Sequence, residues 1–67
     1  MLTAREAEVL ALLARGLSSK AIARRLMLSP FTVRTHRQNL MNKFGAHSVV
    51  ELLLLAQRSM GGSDGSD

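Results

Sequence analysis

The chain contains no cysteine, no tryptophan and no tyrosine, and its 67 residues include a single proline and two phenylalanines. Without cysteine there is neither a disulfide framework nor a thiolate metal site. Stability has to come from apolar packing, helix capping or association with a second chain. No apolar run approaches the ~20 residues that span a bilayer, and the first residues carry no signal-peptide pattern. The expectation is a soluble, cytoplasmic protein with no membrane partner. A 7.3 kDa chain forms one small domain that buries about 60% of its unfolded surface, which leaves no depth for a catalytic cleft or a small-molecule site.

Acid is scarce as well. Of the five acidic residues, Asp64 and Asp67 lie in GGSDGSD, read as a disordered tail over 61–67 behind a domain over 1–60. The domain then holds nine basic side chains against Glu6, Glu8 and Glu51, a net charge of +6. No acid stands between Lys20 and Val50. Such a balance suggests a polyanionic partner.

Catalytic constellations are missing. His36 and His47 have no convincing third metal ligand, Glu6 and Glu8 diverge on one helix, and no base lies near Ser18 and Ser19. Neither an enzyme nor a cofactor is expected.

What the sequence does contain is helix punctuation. Thr3 and Glu6 form a capping box, Glu6, Val9, Leu10 and Leu13 recur at helical spacing, and Gly16 suits a left-handed stop. Helix 1 is placed at about residues 4 to 15. Ser18 caps a short helix 2 whose apolar face is Ile22, Ala23 and Leu26 and whose end lies near Met27. Ser29-Pro30 opens helix 3, with Leu28 and Val33 as a hydrophobic staple. Its inward face is Val33, Leu40, Met41 and Phe44, and Gly45 stops it. Ser48 and Glu51 form a second capping box, from which helix 4 runs to about Ser59. The fold class is all-α, a four-helix domain. The small Ala23, a turn of about three residues and the apolar Val33 ten positions on mark a helix-turn-helix.

Phe31, Arg34, Thr35, Gln38 and Asn42 share the face of helix 3 opposite Val33, Leu40 and Phe44. Arg34 can donate twice to guanine, Gln38 can pair with adenine, and Thr35 can offer its hydroxyl or press its methyl on thymine. Phe31 either covers a thymine methyl or packs against helix 2. Phosphate contacts are expected from Lys20, Ser29, Thr32, His36 and Arg37, with Lys43 and Arg24 as weaker candidates. His36 can alternatively serve as a structural histidine beside the core. Double-stranded DNA is the expected partner.

From Leu2 to about Ser59, the segments LTAREAEVLALLARGLSSKAIARRL and LSPFTVRTHRQNLMNKFGAHSVVELL resemble the LuxR/GerE-type helix-turn-helix family of bacterial transcription regulators. The resemblance implies that helix 2 braces against the DNA backbone, helix 3 enters the major groove and helix 4 makes a dimer contact. It also implies base contacts at Arg34, Thr35 and Gln38, and a phosphoacceptor or ligand-sensing domain elsewhere in many members. In many members a lysine stands where this chain has Phe31, and an acidic residue stands where it has Ala21.

Helix 4 is apolar on nearly every side from Val49 to Ala56. Leu52, Leu55 and Ala56 are expected to face helix 1, leaving Val50, Leu53, Leu54 and Gln57 outward as a homodimer surface. Two recognition helices then read an inverted-repeat operator. The alternatives are a protein-interaction module that contacts RNA polymerase or a partner domain, or the promoter-reading region of a sigma factor.

Overall fold

A computed structural model describes residues 1–65, with side chains through residue 59. Four helices follow one another: α1 (Ala4–Ala14), α2 (Ser19–Leu26), α3 (Pro30–Phe44) and α4 (Val49–Gly65). The all-α helix-turn-helix expectation holds. No strand occurs among the described residues, and no described helix is long and apolar enough to cross a membrane.

Each helix starts where a side chain satisfies free backbone N–H groups. Glu6 N–H donates to Thr3 Oγ1 at 3.1 Å, and Thr3 N–H donates to Glu6 Oε1 at 3.0 Å, closing the capping box of α1. Ser18 Oγ accepts from Ala21 N–H and Ser29 Oγ from Thr32 N–H, both at 3.1 Å. At α4 the box is displaced. Ser48 Oγ accepts from Glu51 N–H, but the Glu51 carboxylate takes the N–H of His47, one residue before the cap, at 2.6 Å. That bond holds the Glu51 carboxyl below its ordinary pKa.

Three helices also end alike. Leu17, Leu28 and Ala46 donate back to Leu12, Ala23 and Met41, while Gly16, Met27 and Gly45 donate to Leu13, Arg24 and Asn42. This double closure is the Schellman arrangement, and it demands a left-handed residue. Gly16 and Gly45 supply it at φ 90° and 67°; Met27 adopts it at φ 59° with a side chain present.

The core is shared by all four helices. Val9, Ile22, Val33, Leu40 and Leu52 have no solvent exposure, and Leu10, Leu12, Leu13, Ala23 and Ala56 complete the buried cluster. Burying each such aliphatic side chain is worth about 1.5–3 kcal/mol relative to exposure. Leu28 and Val33, the two staple residues, both reach this core.

On α4 the expected orientation needs correction. Leu53 packs on the core with Val49, Leu52 and Ala56, whereas the half-buried Leu55 is not among the side chains packed there. In an unbroken apolar run, residues 52, 53 and 56 form as good a helical stripe as 52, 55 and 56, and packing against α1 and α3 together selects the former. The helix also continues past Ser59 to Gly65. Of the tail expected over 61–67, the last two residues lie outside the described residues.

Candidate nucleic-acid interface

The α2–α3 pair is joined by Met27, Leu28 and Ser29, and each helix makes its most extensive contact with the other. Ala23, the small residue of α2, is buried. Held in this way, α3 turns Val33 and Leu40 inward and leaves Phe31, Arg34, Thr35, Gln38, Asn39 and Asn42 exposed.

All four residues expected to read bases therefore share one solvent-facing strip. Phe31 is 76% exposed, which excludes burial against α2. The Thr35 hydroxyl donates to the Phe31 carbonyl at 3.1 Å. Gln38 Nε2 donates to Asn42 Oδ1 at 3.3 Å, so the two amides steady each other one turn apart. Arg34 is exposed on the same helix.

The candidate phosphate-binding residues divide into free and engaged ones. Lys20 is exposed at the start of α2. Ser29 and Thr32 are tied together at the start of α3, their hydroxyls 2.9 Å apart. Pro30 has no N–H, and the N–H groups of Thr32 and Val33 are taken by Ser29, so the first turn of α3 is left with the Phe31 N–H and the partial positive charge of the helix end. His36 and Arg37 are half-buried on the flank of α3.

Arg37 reaches across to α2, where its Nη1 donates to Ser19 Oγ, and its buried Nε has no partner. Sequence reasoning missed Ser19, whose neighbour Ser18 carries the cap; eighteen residues separate the bonded pair, so no local pattern signals it. Lys43, a weaker phosphate candidate, is instead occupied by Glu6 at 2.7 Å.

Apart from Lys43, the cations of α2 and α3 have no compensating carboxylate among the described residues. Ion pairs among the described residues are Arg5–Glu8, Lys43–Glu6 and His47–Glu51. Lys20, Arg24, Arg25, Arg34 and Arg37 have no carboxylate partner among the described residues. No cluster of three or more metal-ligating side chains occurs among the described residues either. An open apolar groove of about 400 Å³ lies between α1 and α4, lined by Leu2, Leu10, Ala11, Ala14, Leu53 and Ala56 among others, and no residue of α2 or α3 lines it.

The model of bacterial regulatory proteins of the luxR family matches residues 1–56. The chain belongs to that family. Among its LuxR-family relatives is the uncharacterized response regulatory protein YgeK of Escherichia coli (strain K12), 51% identical over 57 residues, which cover 85% of this chain and 39% of that protein. The transcriptional regulatory protein UhpA of the same strain is 53% identical over 51 residues, 76% of this chain and 26% of UhpA. The fimbriae Z protein of Salmonella typhimurium (strain LT2) is 48% identical over 52 residues, 78% of this chain and 25% of that protein. The LuxR-type chain thus spans between a quarter and two fifths of the length of these relatives. No solved structure matches it.

Proposed function

We propose that this domain binds double-stranded DNA in a sequence-specific manner as the DNA-reading part of a bacterial transcription regulator. The observation that carries the reading is the exposed strip of α3, Phe31, Arg34, Thr35, Gln38 and Asn42, set among five cations that have no carboxylate partner among the described residues. A merely solvated helix face has no need of that imbalance. LuxR-family membership and the likeness to UhpA, a transcriptional regulatory protein, and YgeK, a response regulatory protein, support the same reading.

In this proposal α3 lies in the major groove. Arg34 takes guanine O6 and N7, and Gln38, steadied by Asn42, takes adenine N6 and N7. Lys20, His36 and Arg37 hold phosphates, and the first turn of α3, capped by Ser29, adds the Phe31 backbone N–H. These phosphate contacts orient the domain without carrying sequence information.

Dimerisation through α4 belongs to the same proposal. Val50 and Leu54 are 70% and 57% exposed on a helix whose other side is already packed, and Gln57 is exposed beside them. Leu53 is spent on the core. Two copies joined there place two α3 helices about one DNA turn, roughly 34 Å, apart on an inverted repeat.

The test is fluorescence anisotropy on a pool of mixed-sequence duplexes across a salt series. A dimer making ~8 phosphate contacts gives a slope of log K against log salt near −7. Absence of binding at low salt would sink the DNA reading in favour of a protein-interaction module.

A further inference from the structure

The exposed strip of α3 changes character along its length. Its C-terminal half presents amides, Gln38 and Asn42, whose mutual hydrogen bond leaves the Gln38 carbonyl oxygen and one of its N–H groups free. Its N-terminal half offers carbon. Phe31 is 76% exposed, and Thr35, one turn later, has committed its only hydroxyl proton to the Phe31 carbonyl. With the hydroxyl proton turned back on its own helix, the exposed Thr35 has no donor left to give, and its methyl is the group that remains for an apolar contact.

An exposed phenyl ring and a methyl, one helical turn apart, are an odd pair to find on a basic surface with no acid from Lys20 to Val50. Base edges in the major groove present hydrogen-bond donors and acceptors, with one apolar group among them, the C5 methyl of thymine. The geometry points to a thymine-methyl reader at the N-terminal end of α3, in which Phe31 and the Thr35 methyl close over the C5 methyls of one thymine or two neighbouring ones. This assignment rests on the DNA-binding reading above. It adds a base preference that hydrogen bonding at these two positions does not supply, and it makes the Arg34 and Gln38 contacts the polar remainder of the code.

The experiment removes the methyl from the DNA and leaves the pairing intact. The best duplex recovered from the mixed pool is resynthesised with deoxyuridine in place of each thymine in turn, and wild type, Phe31→Ala and Thr35→Ser are titrated against the set. Wild type is expected to bind roughly fourfold more weakly for each contacted methyl removed, at one or two positions per half-site. Phe31→Ala or Thr35→Ser abolishes that sensitivity at its own position; both side chains are exposed, so neither change disturbs the core.

If every deoxyuridine duplex binds wild type equally while Arg34→Ala still shifts the preferred base, the methyl assignment is overturned and DNA reading stands. If Phe31→Ala weakens all duplexes alike and uracil is neutral, the ring lies on sugar and the assignment is likewise overturned. Sensitivity that persists unchanged in both variants assigns the methyl to other residues. If wild type selects no duplex at all, the DNA-binding reading itself falls.

Discussion

Lys43 Nζ lies 2.7 Å from Glu6 Oε1 and 3.0 Å from the carbonyl oxygen of Met1, so the last turn of α3 is tied to the first turn of α1 across 37 residues of sequence. Glu6 is 4% exposed and at the same time closes the capping box. One carboxylate therefore serves a local and a tertiary purpose, and its ionised form is held by both. Its pKa lies below the ordinary value, chiefly because of the Lys43 hydrogen bond and then the Thr3 backbone N–H.

The pH dependence follows from the sign of that shift. A carboxyl depressed in the folded state contributes stability that is fully present above its unfolded pKa, about 4.3, and is lost as pH falls through the folded value. Lys43→Met removes the largest cause. The thermal midpoint followed by circular dichroism is expected to fall less steeply below pH 5 in Lys43→Met than in wild type, besides being lower at neutral pH. Parallel curves for the two proteins would show that Lys43 does not set the Glu6 protonation equilibrium.

Met27 sits at φ 59° where the equivalent residues of α1 and α3 are glycines, and it is 90% exposed. A side chain in the left-handed region costs about 1–2 kcal/mol, partly offset in a glycine variant by the greater entropy of the unfolded chain. Met27→Gly is expected to stabilise the domain by about 0.5–1 kcal/mol, read from the urea midpoint. A lower midpoint would mean that the methionine side chain contributes contacts its exposure does not suggest.

Arg34→Ala and Lys20→Ala separate reading from holding. The first is expected to relax preference at one base pair at a cost of about 1–3 kcal/mol, while the second weakens every sequence alike and lowers the salt slope by about one. Unchanged affinity and preference in Arg34→Ala would remove α3 from the proposed groove contact.

Leu54→Glu tests the α4 surface. Because Leu54 is exposed, the domain is expected to fold normally, while cooperativity on a duplex with two half-sites falls with loss of about 1.5–3 kcal/mol per buried leucine. Leu53→Glu should instead unfold the domain, since Leu53 packs on the core. Full cooperativity in Leu54→Glu would place the dimer contact elsewhere.

The starts of α1, α2 and α3 were legible from residue type because an N-cap is closed within four consecutive residues: Thr3 with Glu6, Ser18 with Ala21, Ser29 with Thr32. Two ends were legible because glycine advertises the left-handed stop at Gly16 and Gly45. Met27 carries no such signal, and the helix-turn-helix had to be inferred from the spacing of Ala23 and Val33. The Glu51 cap was misplaced by one residue, since a carboxylate of that length can reach either of two adjacent N–H groups.

Alone, then, the sequence determined the helices, the acid-free stretch and the polar strip of α3, because each depends on chemistry repeated or satisfied within one or two turns. Tertiary structure decided the rest. Which side of the apolar stretch of α4 turns inward depended on packing against α1 and α3, and the partners of Arg37 and Lys43 depended on helices brought together from distant parts of the chain. An apolar run has several equivalent stripes and a long cationic side chain several reachable acceptors, so only packing, which admits one arrangement at native density, selects among them.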